Sequence, residues 1–358
     1  MISRRIIALI AILVIVSVIL ASISLMSIFV PKSNVWAKTI TQIDKLHELG
    51  FDGSRVTIGI VDTGVDISHQ EFDAASFTAW NDFINQKTTY YDDDDHGTHL
   101  AGILVSKGSF QGLFSGINMQ GIASNAKIVV AKSIPQNQYL YGGGSDSTIA
   151  DGIQFCIEND ADIILLSMGM SPNDVDLDDN SETTEMIEQA IGRGIFVISP
   201  AGNDRQDDDG DVCFPSILEN VISVGAISKS NSISSFSSKG HQYPWSAHPN
   251  KKPEVVAPGE EILSTRINGA YGRLSGTSQA AAYIAGVIAL LLDAYPEYKH
   301  DGAKNYNETT IQLFKEIFAK TAKKIGSLQN DNNEFSHDDF YGYGLIQAFE
   351  AYKELAKY

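Results

Sequence analysis

From Arg55 onward, short and nearly all-apolar β-branched runs alternate with longer stretches of helical periodicity. The runs are Val56 to Val61, Ile128 to Ala131, Ile163 to Ser167, Ile195 to Ser199 and Val221 to Val224. Strands apolar on both faces and separated by crossover-length segments belong to parallel sheets buried by helices. The predicted class is therefore α/β, with three layers and a mostly parallel central sheet covered by helices on both faces. Helices are predicted over His96 to Ser106, Ser147 to Asn159, Glu182 to Ile191, Ser278 to Ala294, Thr309 to Lys323 and Leu345 to Lys357. In the third, Glu185, Glu188 and Gln189 face away from Met186, Ile187 and Ala190, as a surface helix requires. The fourth differs, because Ala280, Ala281, Ala282, Ala285, Gly286 and Ala289 leave it small or apolar nearly all round. It is predicted to be central and tightly packed, and its apolar run, ending at Asp293, is too short to span a bilayer.

The N-terminus breaks this pattern. Residues 1–5 carry two arginines, and Ile6 to Val30 then runs 25 residues without a charge, enough to cross a hydrocarbon layer that needs about 20. A retained transmembrane helix over 6–30 is the expectation, with a cleaved secretory signal ending near Val35-Trp36-Ala37 as the alternative. Arg4 and Arg5 favour a cytoplasmic N-terminus, which puts the remainder outside the cell membrane; cleavage would make it secreted. Residues 31–50 read as a connector and 51–358 as one folded domain, with no internal repeat and no dividing linker.

Composition narrows the function classes. The 358 residues are 43% hydrophobic, and 26 basic against 44 acidic side chains give a net charge of −18, a surface that repels nucleic acid. Acidic runs lie at Asp92 to Asp95, Asp174 to Asp179 and Asp207 to Asp211; they read as solvated loops, with paired carboxylates a candidate hold for structural Ca²⁺. Two cysteines, Cys156 and Cys213, rule out a disulfide scaffold and are expected to be buried free thiols, a single bridge being the alternative.

Candidate chemistry stands where polar groups interrupt the apolar runs. Asp62 closes the first strand, and Thr63-Gly64 turns the chain there, at the edge where open α/β sheets collect ligands. His96 opens a helix between small residues in Asp95-His96-Gly97-Thr98-His99-Leu100-Ala101-Gly102. The pair His96 and His99 lacks the zincin spacing and glutamate, so His99 reads as a packing residue. Ser278 follows Gly276-Thr277 at the start of the packed helix, either as a cap or as a nucleophile; a hydroxyl needs a base to attack a carbonyl, and Asp62 with His96 could supply one. Asn203, in Ser199-Pro200-Ala201-Gly202-Asn203, follows a strand and could donate to an oxyanion. The near match of Gly276 to Ala280 to G-x-S-x-G does not make an α/β-hydrolase, whose acid and histidine come after the serine. Gly142 to Gly144 lacks the Gly-Lys-Ser/Thr of a nucleotide loop.

Together, Val61-Asp62-Thr63-Gly64, His96 to Gly102, Ala201-Gly202-Asn203 and Gly276-Thr277-Ser278 resemble the signature segments of the subtilisin-like serine proteases, in that family's Asp, His, Ser order. The likeness runs from about Gly50 to the C-terminus and takes in Gly142-Gly143-Gly144-Ser145, Leu166-Ser167-Met168-Gly169 and Lys252 to Gly259. It implies a serine endopeptidase acting on extended polypeptide through an acyl-enzyme, with Ser278 as nucleophile, His96 as base, Asp62 as its orienting carboxylate and Asn203 as oxyanion donor. It further implies that Gly142, Gly143, Gly144, Ser167, Met168 and Gly169 pair with substrate backbone, and that catalysis needs no cofactor. The catalytic domain is expected to be monomeric. Where the family reads Met-Ala-Ser-Pro-His after the nucleophile, this chain has Gln279-Ala280-Ala281-Ala282-Tyr283, and a non-catalytic peptide binder is the rival reading. Between Val30 and Phe51 there is no room for the inhibitory pro-segment of many secreted relatives.

Overall fold

The computed structural model describes residues 12, 14–17, 34–108, 119–136, 144–170, 181–205, 211–240, 247–300 and 307–358. The described elements in chain order are α1 (Val35–Ile40), α2 (Ile43–Glu48), β1 (Thr57–Asp62), β2 (Phe77–Asp82), α3 (His96–Val105), β3 (Lys127–Lys132), α4 (Asp146–Glu158), β4 (Ile163–Leu166), α5 (Glu182–Gly192), β5 (Phe196–Pro200) and β6 (Ile222–Ile227). They continue with β7 (Val255–Pro258), β8 (Ile262–Arg266), β9 (Ala270–Leu274), α6 (Thr277–Ala294), α7 (Glu308–Thr321) and α8 (Ala348–Leu355). Seven strands form one parallel sheet in the order β2-β3-β1-β4-β5-β6-β7, and β8 and β9 form an antiparallel hairpin.

The side-chain alternation of β1 assigns the faces. A side chain at Gly59 would run into Cys156 on α4, and Val61 lies against Gly152 of the same helix. With a period of two, Ile58, Ile60 and Asp62 must point to the opposite face, and there α3 packs on β1 and on α6. α6 in turn lies across β4 to β7, with every residue from Thr277 to Asp293 buried. The all-round small and apolar pattern of that helix is thus explained: it is sandwiched between the sheet and its neighbours. It is also the one described helix long and apolar enough to cross a membrane, and 94% of that window is buried inside the protein. The expected transmembrane helix, 6–30, lies outside the described residues apart from the helical residues 12 and 14–17.

Three expectations need correction. The sheet has two strands beyond the five predicted: β2 is an edge strand with polar, partly exposed positions, and β7 is only four residues long. The last helix begins at Ala348 rather than Leu345, because Leu345 is held in bridges to Val256 and Lys323. The described part of the connector, 34–50, is folded onto the domain. Ala37, Ile43 and Leu46 are fully buried, Asn34 exchanges two hydrogen bonds with the Leu263 backbone (2.6 and 3.1 Å), and Ala348 N–H donates to Thr41 O at 2.8 Å. Cys156 and Cys213 are buried and unbridged, as expected, with burial pushing both thiols up in pKa.

Candidate active site

The carboxyl edge of the sheet gathers the polar residues that the sequence singles out. Asp62, the last residue of β1, is fully buried and faces His96, the first residue of α3. His96 Nδ1 lies 2.9 Å from Asp62 Oδ1 and 3.0 Å from Oδ2, so the nitrogen carries its proton toward the carboxylate and leaves Nε2 as the acceptor nitrogen. Asp62 Oδ1 also accepts from Thr63 N–H (2.7 Å) and from the Thr63 hydroxyl (3.1 Å). Glycine is required where α3 meets this turn. A Cβ on Gly97 would collide with Gly64 O and come within 3.0 Å of Asp62 Oδ1, and Gly64 itself has φ +109°.

On the other side of β4, Asn203 lies three residues beyond the end of β5. Its Oδ1 accepts from Thr277 N–H and from the Thr277 hydroxyl, both at 2.9 Å. The carboxamide oxygen is thereby committed, and the amide nitrogen is turned the other way as a donor. Ser278 is the second residue of α6 and 7% exposed; the N-cap is Gly276, and the first helical N–H is taken by Asn203 Oδ1, so the cap reading of Ser278 does not hold. Both helix starts therefore rest on one sheet edge, α3 through Asp62 and α6 through Asn203. β1 and β5 are two strand spacings apart, about 10 Å, and α3 and α6 pack directly on each other. Between those strands runs β4, whose continuation is Ser167-Met168-Gly169. The Ser167 hydroxyl is buried without a partner. Gly144 has φ +114°, while Gly142 and Gly143 lie outside the described residues.

The run Asp92 to Asp95 is not the solvated loop that its charge suggests. Asp92 is buried and accepts from Thr98 N–H (2.9 Å), the Thr98 hydroxyl (2.6 Å), Asp94 N–H (3.0 Å) and, at 3.0 Å, the Thr63 hydroxyl that also borders Asp62. Asp93 pairs with the fully buried Lys132 at 2.7 Å, and Asp95 pairs with Arg266 at 2.5 Å. Three of these four carboxylates, Asp92, Asp93 and Asp95, thus fasten the approach to His96 to the turn after β1, to β3 and to β8. Asp92, Thr63 and Lys132 are the site residues that sequence reasoning missed; the only available signal was that Asp92 stands four residues before His96. Asp174 to Asp179 lies outside the described residues, as do 207–210 of the third run. Among the described residues no group of three or more His, Cys, Asp and Glu is arranged to hold a metal ion.

Electrostatics separates the two histidines of the motif. Burial alone would push His96 down, but the Asp62 charge and hydrogen bond, with Asp92 and Asp94 nearby, outweigh it and raise its pKa above the ordinary value. His99 is driven down to about 3 by burial and then by the neighbouring His96; it is a buried packing residue as expected, but only half satisfied, since Nε2–H donates to Ile262 O at 3.0 Å while Nδ1 is buried without a partner. Burial pushes the Asp92 carboxyl up, against the hydrogen bonds that favour its ionised form.

Comparison with known proteins agrees with this geometry. The profile of the subtilase family matches residues 53–344. Subtilisin E of Bacillus subtilis (strain 168) is 31% identical over 267 residues, covering 74% of this chain and 62% of its own length. The major intracellular serine protease of the same organism is 31% identical over 273 residues, covering 74% and 77% respectively. Its minor extracellular protease Epr is 29% identical over 312 residues, covering 87% and 41%. The chain thus spans less than two thirds of the length of several relatives that it matches.

Proposed function

Because this chain belongs to the subtilase family, we propose that it is a serine endopeptidase cleaving extended polypeptide through an acyl-enzyme on Ser278. The observation that carries the reading is the buried Asp62–His96 pair on the sheet edge that also bears Asn203 and the start of α6. His96 Nε2 takes the Ser278 hydroxyl proton as Oγ bonds to the substrate carbonyl carbon. The same proton passes to the leaving amine as the C–N bond breaks, and water then repeats the sequence to release the acid. Asp62 holds the imidazole in the tautomer that can accept, and the Asn203 amide donates to the oxygen as it gains charge. Ser167 to Gly169 and Gly142 to Gly144 pair with substrate backbone, so recognition rests on main-chain hydrogen bonds and tolerates many side chains. The uncharged stretch 6–30 supports an anchored enzyme with its catalytic domain outside the cell.

A serine-directed phosphonylating reagent, followed by mapping of the adduct, tests the proposal: the label belongs on Ser278, and an unlabelled Ser278 in the folded chain sinks it. Three kinetic results should accompany it. Asn203→Ala should lower kcat about 10²- to 10³-fold with little change in KM, whereas a pure KM effect would remove Asn203 from the oxyanion role. kcat/KM should rise with pH as His96 loses its proton, through a midpoint above the ordinary imidazole value because the folded-state pKa is raised. Asp92→Asn takes away one of the negative charges that hold that proton, so the rise should move to lower pH; an unmoved profile would disconnect Asp92 from His96.

A further inference from the structure

Only Pro31, Lys32 and Ser33 separate the uncharged stretch 6–30 from the folded domain. Asn34 already belongs to that domain: it is buried, its Nδ2 donates to Leu263 O at 2.6 Å, and its Oδ1 accepts from Leu263 N–H at 3.1 Å. The helix behind it, α1, is fastened too, with Ala37 fully buried and Lys38 Nζ donating to Gln120 O at 2.5 Å. Cleavage after Ala37 would strip Asn34 and half of α1 from the domain they pack on, which favours the retained anchor. A fully extended chain covers at most about 3.6 Å per residue, so Asn34 stands no more than about 14 Å from the residue that ends the apolar stretch. Its partner Leu263 lies in β8, which is bonded along α3. His99 Nε2–H donates to Ile262 O at 3.0 Å, the Ser264 hydroxyl to His99 O at 2.7 Å and the Thr265 hydroxyl to Thr98 O at 2.8 Å. His99 is three residues, about 4.5 Å, along α3 from His96, which puts His96 within about 20 Å of Asn34. Whichever way the domain tilts, His96 then stands no more than about 35 Å above the hydrocarbon edge. A molecule with a net charge of −18 has no general attraction to an anionic lipid surface, so the short tether, rather than adhesion, sets that height.

We propose that the substrates are polypeptides held in the same membrane and cut beside their own span, within about ten residues of extended chain; this rests on the serine-endopeptidase and anchor readings above. Holding enzyme and substrate on one bilayer raises their effective concentration, and the short tether confines the gain to segments near the surface. The test places the full chain in phosphatidylcholine vesicles with single-span peptides that carry one reporter sequence at two heights. In the first the reporter begins about 8 residues beyond the span; in the second a stiff helical spacer of about 40 residues continues the span and lifts it by about 60 Å. The near reporter should be cut at least about tenfold faster than the far one. Inserting about 40 Gly/Ser residues between Ser33 and Asn34 adds about 35 Å of flexible reach and should bring the two rates within about threefold. A soluble reporter peptide should be hydrolysed equally by both chains, since the insertion leaves the docked residues in place. Equal near and far rates with the unaltered chain overturn the proposal, as does a preference that the insertion leaves unchanged. The same preparations keep the levels apart. Failure to hydrolyse the soluble peptide sinks the peptidase reading, and a chain that does not float with the vesicles sinks the anchor reading; either takes this inference with it. A vesicle-bound chain with full turnover and no preference for the near reporter removes this inference alone.

Discussion

Ser278→Ala should lower kcat on a reporter peptide by on the order of 10⁶-fold and leave the fold intact. The size follows from what the hydroxyl does in the proposed reaction: it is the atom that bonds to carbon, and no other group can take over its attack. What survives comes from the oxyanion donors and from binding, still well above the rate in water. The fold is expected to be indifferent for a reason visible at the start of α6. Gly276 is the N-cap, the first helical N–H is taken by Asn203 Oδ1, and Ser278 makes no capping hydrogen bond that alanine would forfeit. Alanine is also the better helix former, so the unfolding free energy should move by less than about 1 kcal/mol. Thermal unfolding and peptide hydrolysis measured on the same preparation separate the two effects. Retention of even about a tenth of the original rate would remove Ser278 from the chemistry.

How much of this was legible beforehand depended on where each residue's partners lie. The buried strands could be read from the sequence because their neighbours are apolar whatever the topology, so a β-branched run announces itself. β2 could not, since Phe77–Asp82 sits at a sheet edge with polar, partly exposed positions. α1 and α2 were hidden for another reason. They are six residues each, without side-chain caps, and are held by distant groups such as Leu263 and Ala348. The motif residues Asp62, His96, Asn203 and Ser278 stood out because each ends or begins an apolar element with a group that has no packing purpose there. The carboxylates before His96 did not, because charge counting treats an acidic run as solvated, while their donors come from Lys132, Arg266 and Thr98 on other elements. The same blindness hid Glu254, a fully buried carboxylate shared by Lys252 (2.9 Å) and Lys315 (2.6 Å), where burial drags Lys252 down to about 7. Pairings of this kind are settled by tertiary packing and have no local signature.

Asp62→Asn should cost about 10⁴ in kcat while hardly disturbing stability, and the hydrogen bonds around Asp62 explain why so small a change does so much. Oδ1 receives the Thr63 N–H at 2.7 Å, which an amide NH₂ could not face without opposing two donors. The asparagine must therefore keep its oxygen toward Thr63 and present its NH₂ where Oδ2 now stands, 3.0 Å from His96 Nδ1. A donor at that place opposes the Nδ1 proton, and the oxygen kept 2.9 Å from Nδ1 is already engaged by the Thr63 N–H and hydroxyl, so the imidazole proton is driven to Nε2 and Nδ1 becomes the acceptor. The nitrogen that should take the Ser278 proton then has no lone pair to offer, although every heavy atom is where it was. The substitution also removes the negative charge that stabilises the imidazolium formed during attack. Phosphonylation of Ser278 should slow in parallel with peptide hydrolysis, because both need the hydroxyl activated. A variant within about tenfold of the original rate, or one that hydrolyses slowly but is labelled at full speed, would mean that Asp62 does not set the state of His96.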